Sequence, residues 1–201
     1  MKRNILFFTF VCFLFTVFAQ ETGLKVGDKA TDFKLKNIDD KTISLKDYKK
    51  DKGVVLVFTC NHCPYSVAYE DRIIALHNTY SAQGFPVLAI NPNDVATVPE
   101  DSFDEMKKRA SDKKFPFRYL FDDTQTTAKI YGATRTPHVY LLKNTKKGFE
   151  VAYIGAIDNS AKDEAAITEK YVEAAIAALQ KGEKPAVEST KAIGCSIKWK
   201  K

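Results

Sequence analysis

The chain has 201 residues, 45% hydrophobic and 28% charged, with a formal net charge of +6. That length and balance fit one globular domain with a short appendage and exclude a disordered, collagenous or multi-domain chain. Its basic clusters, at Lys146-Lys147 and at positions 198–201, are short and not interleaved with stacking aromatics, which excludes a nucleic-acid surface.

Lys2 and Arg3 precede an apolar run from Ile5 to Phe18 that stops at Ala19, the layout of a secretory signal peptide cleaved after Ala19. The run is shorter than the roughly 20 apolar residues that cross hydrocarbon. An exported protein, periplasmic or secreted, with no stable membrane association after cleavage is expected. Removing residues 1–19 leaves 29 Lys and Arg against 25 acids, a net of +4 over 182 residues, and takes Cys12 away. Cys60, Cys63 and Cys195 remain, an odd number that excludes a fully paired framework within one chain.

Phe33 and Leu35, then Ile43 and Leu45, alternate with polar residues around Asp39-Asp40, which predicts an N-terminal hairpin. The continuous apolar run Val54 to Phe58 predicts a strand buried on both faces. Tyr65, Tyr69, Ile73, Leu76 and Tyr80 recur at helical spacing between Pro64 and Gln83, ahead of Gly84 as C-terminal cap. Pro86 to Ile90 supplies a second buried strand and completes a right-handed β-α-β unit. Glu100 to Ala110, with acids early and bases late, and Thr124 to Tyr131 predict two further helices, a helical insertion. Val139 to Leu142 and Phe149 to Ile154 predict an antiparallel pair, and Asp163 to Gln180 a last helix before Gly182. The domain therefore spans 20–182, followed by a tail over 183–201 without clean periodicity. The fold class is α/β, with a central mixed sheet flanked by helices.

The residues that carry chemistry are Cys60-Asn61-His62-Cys63, where a buried strand gives way to a helix. Two cysteines at this spacing can close a disulfide in one turn, and the helix N-terminal field favours thiolate, the attacking species in exchange. A structural disulfide is disfavoured because so small a loop constrains the unfolded chain little. Haem attachment is excluded by Pro64 where a histidine would be needed. A metal site remains a rival, with Cys60, His62, Cys63, His138 and Cys195 as candidate ligands. Cys195, near Trp199, could pair with the dithiol, pair between chains, bind metal or stay free. His77 reads as an ordinary helix residue, and strand alternation could point His138 away from the dithiol.

The opening residues 27–33, the strand leading into Cys60-x-x-Cys63, and Thr136-Pro137 before the later strand together resemble the thioredoxin superfamily, in its redoxin (AhpC/TSA-like) branch of peroxiredoxin-like and exported thioredoxin-like proteins. The resemblance covers most of the mature chain and implies a thioredoxin-like fold. It implies a cis Pro137 against the dithiol, with the Thr136 backbone pairing with a bound partner strand. By likeness to thioredoxins, Cys60 is the exposed nucleophile and Cys63 the resolver. Pro64 disfavours helical geometry at Cys63, so the helix can begin at Pro64 with Cys63 as its N-cap. His62 stands before the second cysteine as in oxidising C-P-H-C proteins, and Arg135 is a candidate second positive charge. Glu70 is the candidate proton acceptor. Departures are Thr59 in place of a tryptophan, Leu56 and Cys60 where a peroxiredoxin has proline and threonine, and Arg135 where related chains have a cysteine.

The expected activity is exchange of disulfides with protein dithiols or disulfides, without a cofactor, supported by an upstream thiol reductant or oxidant. A thiol peroxidase acting on a peroxide, and a Cys/His metal chaperone without turnover, are the alternatives.

Overall fold

The structure, a computed structural model, describes residues 23–201. The expected signal peptide, Cys12 included, lies outside the described residues. Lys34–Asn37 (β1) and Thr42–Ser44 (β2) form the expected hairpin. The apolar run becomes β3, Gly53–Phe58, buried along its whole length. Pro64–Tyr80 (α1) follows, then β4 at Val87–Asn91, which lies parallel to β3.

The insertion is not purely helical. After α2, Phe103–Asp112, the segment Arg118–Phe121 (β5) pairs parallel to β4 and antiparallel to β1. Its four residues, bounded by Pro116 and the polar pair Asp122-Asp123, are too few to show a period. Pairing with β4 is what makes them a strand. Thr126–Tyr131 (α3), Arg135–Thr136 (β6), His138–Thr145 (β7) and Gly148–Gly155 (β8) complete this half.

The last helix is shorter than expected. Asp163 caps only a single turn at 164–166, and α4 covers Tyr171–Gln180. The Asn159 side-chain oxygen accepts the amides of Thr168 and Glu169, which holds this stretch out of helical geometry. The tail is ordered and adds β9, Cys195–Ser196.

Among the described residues, a seven-stranded sheet runs in the order β2-β1-β5-β4-β3-β7-β8, with β6 and β9 forming a separate pair. Alternation along the strands divides the core. Val54, Leu56 and Phe58 pack with Ala128 and Tyr131 of α3 on one face. Val55 and Val57 face α1, α2 and α4 through Ile73, Met106 and Ile176 on the other. This is the expected thioredoxin-like arrangement, and it delivers the end of β3 and the start of α1 to one edge of the molecule. Among the described residues no helix is long and apolar enough to cross a membrane.

Candidate active site

Thr59 separates Cys60 from the end of β3, and Cys63 is the N-cap of α1, with extended φ and ψ of −64° and 124° and Pro64 at the first helical position. Proline fixes both features, since its ring disfavours helical geometry in the residue before it and fits the first turn itself. Both sulfurs meet at Thr136. The Cys60 Sγ shares a 3.3 Å hydrogen bond with the Thr136 hydroxyl, and the Cys63 Sγ lies 3.2 Å from the Thr136 carbonyl oxygen. The Thr136–Pro137 peptide is cis.

The pairing of the thiols differs from the simplest expectation. Cys63 is joined to Cys195 of the tail, their Cα atoms 6.1 Å apart, and Cys60 is free. Cys60 was expected as the exposed nucleophile, yet it is 3% exposed and Cys63 is fully buried. Of the three, Cys195 alone is not buried.

A buried carboxylate organises this corner. Asp101, fully buried, accepts the Asn61 amide at 2.7 Å and the His62 amide at 3.3 Å on Oδ1, and the Asn93 side-chain amide at 2.8 Å on Oδ2. His62 Nδ1 sits 2.6 Å from the same Oδ2 and 3.8 Å from the Cys60 sulfur. When protonated, the imidazole pairs with the Asp101 carboxylate and lies as a positive charge beside the Cys60 sulfur. The Asn61 side chain donates to the Glu100 carbonyl and accepts from the buried Tyr119 hydroxyl, which fixes the two residues between the cysteines. The helix proper begins after Ser102, its N-cap, and Asp101 lies in the turn before it. Its only sequence signal was an acid beside an N-cap, a pattern shared with ordinary helix starts.

The Cys60 sulfur raises the His62 imidazole most and the Asp101 carboxylate adds to it; partial burial opposes both, and the result is about 9. In the unfolded chain the same proton is lost near 6.5, so this contribution to stability is complete below about pH 6.5 and disappears as pH climbs through 9. The His62 side chain keeps 26% of its surface in solvent, which screens part of the effect. The gap in Tm between wild type and His62→Gln is therefore expected to be widest near pH 6 and to close by pH 10. A gap that stays constant across that range in thermal melts would remove the charged imidazole from the account.

The other expected residues each have partners of their own. Glu70 lines a small hollow with Cys60, but its two oxygens accept from Arg109 at 2.6 and 2.9 Å, and Lys113 is 3.5 Å away. Both oxygens are thus engaged by cations of the following helix and its end. The Arg135 guanidinium donates to the Gly194 carbonyl and the Ser196 hydroxyl, on either side of Cys195 in the tail. The Thr136 edge pairs with Cys195 of the chain itself. His138 is buried, accepts the Thr134 amide at 3.4 Å, and is pushed down to about 4 by burial. His77 accepts the Val87 amide, as a structural residue would.

The ligand set expected of a metal chaperone is thus not assembled. Cys63 and Cys195 are bonded to each other and His138 is occupied. Cys60, His62 and Asp101 do bring one ligand atom each within 4.8 Å of one another, a donor set suited to a borderline cation. Such an ion would have to displace the His62 and Asn93 bonds to Oδ2.

The AhpC/TSA family pattern matches residues 26–157. Among solved structures, an uncharacterized conserved protein from Geobacillus kaustophilus is 37% identical with a TM-score of 0.81, the match covering 88% of this chain and 93% of that one. A hypothetical protein from Sinorhizobium meliloti 1021 is 28% identical with a TM-score of 0.81, covering 89% and 96%. The thiol-disulfide oxidoreductase ResA of Bacillus cereus is 26% identical over 161 residues, 73% of this chain and 87% of its own.

Proposed function

The chain belongs to the AhpC/TSA family, within the thioredoxin superfamily, and as an enzyme of thiol–disulfide chemistry it acts, we propose, by exchanging disulfides with protein partners through Cys60 and Cys63. The observation that carries this reading is the meeting of both sulfurs at Thr136, one free and the other already engaged in a disulfide. Cys63 is the sulfur that bonds outside the pair, and Cys60 closes the internal disulfide. The N-terminus of α1 at Cys63, and the imidazolium held by Asp101 beside Cys60, stabilise negative charge on the sulfurs as each attacks or leaves. No cofactor enters these steps.

Export follows from Lys2, Arg3 and the apolar run to Phe18, and the mature protein should begin at Gln20.

The test is catalysis by the full chain of insulin disulfide reduction at the expense of a dithiol. Turnover well above the uncatalysed rate is expected, and mapping by mass spectrometry after oxidation should find a Cys60–Cys63 disulfide in part of the molecules. A protein that exchanges with neither insulin nor any other protein disulfide would end this reading.

A further inference from the structure

An incoming strand would need the free backbone edge at Arg135 and Thr136, and that edge is taken. Arg135 pairs with Ser196 and Thr136 with Cys195 in antiparallel register. The approach is close enough that a Cβ on Gly194 would overlap the Thr136 carbonyl, so this contact is one only glycine permits. The tail is also anchored on both sides of its cysteine without help from the disulfide. Before it, Ile154 donates to the Glu188 carbonyl and Thr190 to the Ile154 carbonyl. After it, the Ile197 amide reaches the Thr134 carbonyl at 3.2 Å, the Lys198 amide reaches Asn93 Oδ1 at 2.9 Å, and Ile197 is buried. Cys195 therefore remains beside Cys63 when their bond opens, at high effective concentration.

We propose that Cys195 is a third exchange residue, the partly exposed sulfur that meets the partner's disulfide and relays it inward to Cys63 and then to Cys60. This rests on the exchange reading above. In the reducing direction the Cys195 thiolate attacks one sulfur of a partner disulfide, and the other partner sulfur leaves and is protonated. The Cys63 thiolate attacks Cys195 Sγ, which forms the Cys63–Cys195 bond and expels the second partner sulfur as a thiol. The Cys60 thiolate then attacks Cys63 Sγ, which forms Cys60–Cys63 and returns Cys195 as a thiolate. Two electrons and two protons pass from the Cys60/Cys63 dithiol to the partner, and the reverse sequence oxidises one. The structure holds the intermediate between the second and third steps.

The experiment uses the full chain with insulin as partner. Cys195→Ser is expected to slow insulin reduction by about tenfold or more, because the remaining thiols are buried. Gly194→Val, which keeps all three sulfurs but forces the tail off Thr136, should slow it comparably. Cys63→Ser should accumulate a mixed disulfide with insulin mapped to Cys195. Trapping at Cys60 alone, or wild-type rates in both Cys195→Ser and Gly194→Val, would overturn the relay while leaving exchange intact. Absence of turnover in wild type would defeat the exchange reading, and the relay with it.

Discussion

Cys63→Ser is expected to abolish catalysed reduction of protein disulfides, lowering the rate by on the order of 10³-fold or more, because a hydroxyl cannot take part in sulfur exchange. Cys63 is the residue common to the two pairings that the exchange uses, Cys60–Cys63 and Cys63–Cys195, so neither can form without it. Cys60→Ser, by contrast, should leave the Cys63–Cys195 linkage intact in non-reducing peptide maps. Stability has to be separated from chemistry here. The linkage joins positions 132 apart in sequence, and a cross-link over so long a loop contributes up to about 4–5 kcal/mol in the chain-entropy account. Cys195→Ser loses the same cross-link and is the proper comparison. With both variants assayed well below their melting temperatures, Cys63→Ser should be the slower by a wide margin. Equal residual rates would mean that the buried pair is not the electron-transferring unit.

Asp101→Ala should be the most damaging substitution that touches no sulfur. Among the described residues no buried side-chain nitrogen or oxygen lacks a partner, and this change would orphan the Asn61 amide and the Asn93 side chain at once, with His62 losing its counter-charge. An unsatisfied buried donor costs about 1–3 kcal/mol, so a loss of about 3 kcal/mol is expected, with a fall in Tm of roughly 6–12 °C for a domain of this size. Asp101→Asn keeps the shape and one acceptor oxygen and should lose less. Calorimetric melts at neutral pH check both. In the same variants the His62 titration, followed by NMR, should move down from about 9 toward its ordinary value. An unchanged His62 titration in Asp101→Asn would show that Cys60 alone holds the proton.

Much of the fold was legible because its elements carry their own signals. Val54 to Phe58 has no polar side chain and could only be an interior strand, and the residues from Pro64 to Tyr80 repeat with a helical period. The elements that went astray are those whose shape is set from outside. β5 is four residues with no period of its own, and 163–170 is held out of the helix by one asparagine side chain reaching from position 159. The same division runs through the site. Pro64 and the spacing of Cys60 and Cys63 put a dithiol at a strand-to-helix corner and make Cys63 an N-cap, all from local backbone chemistry. Asp101 could not be told from an ordinary acid near a helix start, since its meaning comes from where it is buried. Glu70 was assigned to the dithiol from its place on the helix that follows, and Arg135 from the Thr136-Pro137 loop expected against it; the structure shows Glu70 ion-paired with Arg109 and Arg135 hydrogen-bonded to Gly194.

By itself the sequence determined that this is an α/β chain with two thiols at the head of a helix, because period, turn residues and proline act over a few neighbours. Only the tertiary structure decided which thiol Cys195 joins and which carboxylate holds His62. Those contacts bring together residues tens to more than a hundred positions apart, and sheet packing rather than local preference chooses them.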